Sequence, residues 1–75
     1  MTQEEFQKVK DNFSSYKGKR VDYKRYWPSA DKWGKDHGCL VGIGEGVNRD
    51  NLIVSWSKYQ FVVHYTEVIS IKDIV

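Results

Sequence analysis

Apolar residues follow two different periods along this chain, and the change of period divides it. Near the start, Phe6, Val9, Phe13 and Tyr16 recur at spacings of three, four and three, a single stripe on a 3.6-residue helix. Thr2-Gln3-Glu4-Glu5 precedes the stripe and has the form of a capping box. The Thr2 hydroxyl can accept from the Glu5 amide while the Glu5 carboxylate reaches back. Glu4 and Glu5 suit the positive end of the helix dipole, Lys17 suits the negative end, and Gly18 can stop the helix in a left-handed conformation. The spacing predicts a helix over about residues 3–16. Its narrow apolar face is expected to plug one end or face of the downstream sheet; the alternative is a docking stripe for a partner helix.

From Lys19 onward the period shortens to two. Val21, Tyr23 and Arg25 share one face, with Arg20, Asp22, Lys24 and Tyr26 on the other. This predicts a strand over 19–27 with Val21 and Tyr23 turned to the core and a wet, charged opposite face. Pro28 ends it by removing a ladder donor. Further on, Cys39–Ile43, Leu52–Trp56, Phe61–Tyr65 and Val68–Ile71 are short runs of β-branched and aromatic residues separated by turn signals. Leu52, Val54 and Trp56 face one way, as do Phe61, Val63 and Tyr65, while His64 shares the other face with Gln60 and Val62. Gly42 and Gly44 mark a bulge or sharp bend, and Thr66-Glu67 predicts one tight helical turn before the last strand. Lys72-Asp73 and the apolar pair Ile74-Val75 follow it. Between the first two strands, Ser29–Gly38 reads as a ten-residue connection carrying Trp33, either folded back over the core or displayed.

The expected object is one domain of mainly β (α+β) class over residues 1–75, with 1–18 a helical segment packed on a sheet formed by 19–75. A strand, a long loop, a three-stranded meander and a closing Thr66-Glu67-Val68-Ile69-Ser70-Ile71 resemble the Src-homology-3-like small β-barrel, including its tudor and chromo-type members. The resemblance covers about residues 19–71 and lies in the order and spacing of strands. It implies a five-stranded antiparallel barrel behind the N-terminal helix. The alternative is an oligonucleotide-binding barrel. The Ala-Leu-Tyr-like motif of proline-peptide-binding members has no counterpart here, so that ligand is not implied. The chain's size also looks like that of phage or prophage accessory proteins.

Charge narrows the functional reading. The net charge is only +2, but residues 17–37 hold seven cations (Lys17, Lys19, Arg20, Lys24, Arg25, Lys32, Lys35) against three anions (Asp22, Asp31, Asp36). A segment of this kind attracts a polyanion or an acidic protein surface. Eleven aromatic rings are more than so small a core can hide, so some are expected at the surface. Cations interleaved with rings over this segment point to a non-catalytic nucleic-acid-binding module, in which lysines track phosphates and flat side chains stack on bases. The candidate binding residues are Lys19, Arg20, Lys24, Arg25, Tyr26, Trp27, Lys32, Trp33 and Lys35. The alternative is a protein–protein interaction module, an adaptor or inhibitor using the same aromatic loop. A special case is an aromatic cage for a methylated cation, needing three of Tyr23, Tyr26, Trp33, Trp56, Tyr59 and Phe61 to converge. Edge strands can also pair between copies to make a homodimer.

Catalytic and cofactor chemistry find little footing. His37, Cys39 and His64 match no zinc spacing. His37 and Cys39 can share a strand face, but no third group is in view to orient a thiolate–imidazole pair. Gly42-x-Gly44-x-Gly46 lacks both the lysine and the following helix of a phosphate loop. No cofactor, metal or catalytic residue is therefore expected. A lone cysteine, no apolar run of membrane-spanning length and an acidic, polar N-terminus unlike a signal peptide predict a soluble, cytoplasmic protein without membrane partners.

Overall fold

A computed structural model describes residues 1–73; the apolar pair Ile74-Val75 lies outside the described residues. The capping box forms as expected. The Glu5 amide donates to the Thr2 hydroxyl at 3.1 Å, and the Thr2 amide donates back to the Glu5 carboxylate at 3.2 Å. The Thr2 amide and hydroxyl both donate to the Glu5 carboxylate and hold its pKa below the ordinary value. The helix they start, α1, spans Gln3–Asp11, and Asn12 breaks it before a single further turn, α2, at Phe13–Tyr16. The continuous helix expected over 3–16 is thus interrupted. The break lets the second half of the stripe turn: Phe6 and Val9 are buried, whereas Phe13 and Tyr16 pack on the core's edge. Gly18 takes φ 90° and its amide donates to the Leu40 carbonyl at 2.8 Å, tying the end of the helical segment to the sheet.

Five strands come next: β1 Arg20–Trp27, β2 Lys32–Ile43, β3 Asn51–Trp56, β4 Tyr59–His64 and β5 Val68–Lys72. They form one antiparallel sheet in the order β4-β3-β2-β1-β5. The register of β2 on β3 shifts between Leu40 and Gly42, the irregularity that Gly42 foreshadows. The expected helical turn is a 3-10 turn at Tyr65–Glu67. Because only these three residues join β4 to β5, the two edge strands of the sheet converge at that end.

Within the expected loop 29–38, residues 32–38 are corrected to strand. Only Pro28–Asp31 turn, with the Ala30 amide donating to the Trp27 carbonyl at 3.1 Å and Asp31 at φ 47°. Proline suits the second position of such a turn. β2 then begins at Lys32, seven residues before the expected Cys39, and pairs with the whole length of β1 from Trp27↔Lys32 to Arg20↔Cys39. Two glycines make this pairing fit. A Cβ on Gly38 would lie 2.3 Å from Val54 Cγ1 and 2.8 Å from the Ser55 carbonyl oxygen, and one on Gly34 would lie 2.9 Å from Trp27 Nε1.

The core is made from one face of the sheet and one face of α1. Val21, Tyr23, Leu40, Leu52, Val54, Val63 and Val68 are buried against Phe6 and Val9, and Phe6 stacks on Tyr65 with ring centroids 5.0 Å apart. As alternation predicts, Val21 and Tyr23 face inward. Tyr23 is the one buried phenol among the described residues, and burial followed by the nearby Asp36 carboxylate raises its pKa.

Candidate nucleic-acid interface

The positive segment of the sequence becomes the β1–β2 hairpin, and its outer half has fewer neighbours than its base. β5 pairs with β1 only as far as Tyr23, and β3 pairs with β2 only from Cys39. Lys24–Trp27 and Lys32–Lys35 therefore form a two-stranded ribbon whose flanks carry no further strand among the described residues.

Alternation distributes the candidate residues over two faces. On the outer face Lys24 lies opposite Lys35 and, one rung farther out, Tyr26 lies opposite Trp33. The Tyr26 and Trp33 rings are 5.6 Å apart at an interplanar angle of 52°, and Trp33 is 59% exposed. The Tyr26 hydroxyl donates to the Asp31 carboxylate, which raises the phenol's pKa and fixes the ring at the hairpin tip. Opposed lysines destabilise a strand pair. Neither Lys24 nor Lys35, nor Lys32 nearer the tip, belongs to an ion pair among the described residues.

Arg25 and Trp27 project from the inner face instead. The Arg25 guanidinium bonds to the Asp36 carboxylate at 2.9 Å and sits 4.4 Å from the Trp27 ring centroid and 5.2 Å from that of Phe61. Phe61 belongs to β4, three strands away, so the sheet is strongly curled. Arg25, Trp27, Asp36, Trp56, Tyr59 and Phe61 line a cavity of about 360 Å³ on this face. Three of the six possible cage residues, Trp56, Tyr59 and Phe61, thus gather around one space. Tyr26 and Trp33 are elsewhere, and the space already holds the protein's own guanidinium.

Two candidates lie outside the ribbon. Lys19 pairs with Asp73 at 3.0 Å and lies over the Tyr16 ring, while Arg20 pairs with Asp22 at 3.0 Å. Asp22 also accepts from Ser70 at 3.3 Å and lies 3.9 Å from the Lys72 ammonium. Burial acts to raise the Asp22 pKa, but the bonds and charge of Arg20, with Ser70 and Lys72, outweigh it and the net direction is down. Lys19 and Arg20 therefore serve the base of the sheet, and the nine candidates do not form one patch.

His37 and Cys39 do share a side of β2, bordering a shallow cavity with Arg20, Ser55 and Trp56. Cys39 Sγ lies 4.0 Å from the Leu40 carbonyl oxygen. His64 Nδ1 is 2.8 Å from the Thr66 hydroxyl and accepts from the Thr66 amide at 3.3 Å, which caps the 3-10 turn. Among the described residues no group of three or more His, Cys, Asp or Glu could hold a metal ion, and no helix is long and apolar enough to cross a membrane. Asp36 is a site residue that the pattern of cations and rings does not reveal. The available signal is Arg25 on the same face as Val21 and Tyr23, since a cation directed toward a core calls for a carboxylate.

No protein-family model, curated protein or solved structure matches this chain.

Proposed function

We propose that this protein is a non-catalytic nucleic-acid-binding module that engages phosphates with Lys24 and Lys35 and bases with Trp33 and Tyr26. The observation that carries the reading is the rung pair itself. Two lysines without ion-pair partners among the described residues stand opposite one another, and two exposed rings occupy the adjacent rung. A fold gains nothing in stability from opposed like charges, whereas a polyanion turns them into an asset. The fold reading that accompanies this proposal is the Src-homology-3-like barrel. Four strands in sequence, a fifth returning beside the first and a single 3-10 turn before it support that arrangement, as does the curl that brings Arg25 against Phe61.

The test is fluorescence anisotropy with labelled oligonucleotides over a series of salt concentrations. Binding is expected at low salt and should weaken as salt rises. Replacing Lys24 and Lys35 by alanine together should flatten the log–log salt slope by about 1.4–1.8. Absence of binding at low salt, or binding indifferent to both lysines, would overturn the proposal.

A second reading, a protein-interaction module, is favoured by the inner face. Trp56 and Tyr59 are exposed there beside the Arg25–Asp36 pair, and Trp, Tyr and Arg are the residue types that dominate protein interfaces. Under that reading Trp56→Ala abolishes association with the partner and Lys24→Ala with Lys35→Ala does not.

A further inference from the structure

Two open strand edges face each other beside the ribbon. From Lys24 to Trp27, the edge of β1 that β5 covers lower down carries no strand among the described residues, and β4 pairs with β3 on one side only. Between these edges lies a cleft of about 270 Å³, bordered by Lys24, Tyr26, Trp33, Phe61, Val62 and Glu67 among others. Four rings and two valines make most of its side-chain walls. An edge strand also presents unpaired backbone N–H and C=O groups in the plane of the sheet. Both signs of charge meet there: Lys24 and Arg25 border the cleft from β1 and the Glu67 carboxylate borders it from the 3-10 turn, while Lys35 stands opposite Lys24 on the outer face.

Resting on the nucleic-acid reading above, the geometry points to a narrower ligand class: a single-stranded nucleic acid, one unstacked base of which enters this cleft. Its phosphates lie on Lys24 and Lys35, and its ring packs against Trp33 and Phe61. Its polar edge meets the open backbone groups of β1, and Glu67 accepts from an exocyclic amino group. A duplex cannot use the cleft, because its Watson–Crick edges are paired and its bases are stacked on each other. A duplex would reach only the lysines.

The experiment compares a labelled single-stranded oligonucleotide with the duplex of the same sequence by anisotropy at low salt, on the full chain. Val62 is 56% exposed, so Val62→Trp fills the cleft from the surface without changing charge. Phe61→Leu removes a ring from the wall instead, so the result does not depend on how a new indole packs. Each variant is expected to weaken single-strand binding about tenfold, the scale of one lost base–aromatic contact, and to leave duplex binding unchanged. The lysine double variant weakens both. If Val62→Trp and Phe61→Leu leave single-strand affinity unchanged while the lysine variant lowers it, the cleft assignment falls and the nucleic-acid reading stands. The cleft assignment also falls, on its own, if the duplex binds as tightly as the single strand. If neither form binds, both fall.

Discussion

One face of this sheet behaves as two materials, and strand β1 runs through both. Val21 and Tyr23 lie in the closed half, under α1, packed among the apolar side chains of the core. Arg25 and Trp27, the next two residues on the same face, lie in the open half, where a guanidinium is held between rings and bonded to Asp36. The difference has a plain geometric source. Nine residues of helix extend only about 14 Å at 1.5 Å each, whereas the eight residues of β1 extend about 26 Å. A helix of this length covers the base of the sheet and cannot reach its tip. The uncovered part is furnished with side chains that tolerate water on one side, a delocalised cation and large rings.

If that division is real, truncation should be severe in the closed half and mild in the open half. Phe6→Ala removes a fully packed ring and its stack on Tyr65, a change that costs about 3–5 kcal/mol in well-packed cores. A 75-residue domain has about 4–11 kcal/mol in total, so urea unfolding should show a midpoint shifted strongly down or lost altogether. Arg25→Met keeps an unbranched side chain beside Trp27 and Phe61 but removes the cation from both rings and from Asp36. Its partly exposed setting limits the expected loss to about 1 kcal/mol, and Trp56→Ala should cost less still in the same urea assay. A Trp56→Ala loss as large as that of Phe6→Ala would abolish the distinction between the halves.

The smallest effect concerns pH at the base of the sheet. Asp22 has a folded pKa below its ordinary value of 3.8, so its contribution is complete above that value. It disappears as pH falls through the lowered one. Asp22→Asn should therefore reduce stability at neutral pH and lose less on going from pH 6 to pH 3 than the parent chain does, measured by denaturant midpoints at both values. Equal acid sensitivity in the two proteins would show that Asp22 is not coupled to folding.

Legibility in the sequence follows the same division. The capping box, the buried pair Phe6 and Val9, the inward Val21 and Tyr23, the bulge at Gly42 and the helical turn before β5 can all be read from local pattern. They depend on interactions a few residues apart or on plain alternation. The first half of β2 cannot be read in this way. Lys32, Gly34, Lys35, Asp36 and Gly38 have poor strand propensity, and they are extended because β1 pairs with them and because Trp27 and Val54 need room that only glycine leaves. The composition of the candidate site is visible for the same reason that its geometry is not. Cations and rings can be counted along a chain, but their division between two faces depends on a register set by the Pro28–Asp31 turn. Lys19 and Arg20 look like members of the patch because their carboxylate partners, Asp73 and Asp22, become neighbours only through folding or strand extension.

The position of the tryptophans has an optical consequence. Trp27, Trp33 and Trp56 are 37%, 59% and 51% exposed, and all three belong to the open half, while the closed half is built from Phe, Tyr and aliphatic side chains. Indole emission from the folded protein should already be red-shifted, so it is a poor gauge of unfolding. It is a native, label-free reporter of occupancy instead, with each indole beside a cavity or cleft where a ligand would quench or shield it.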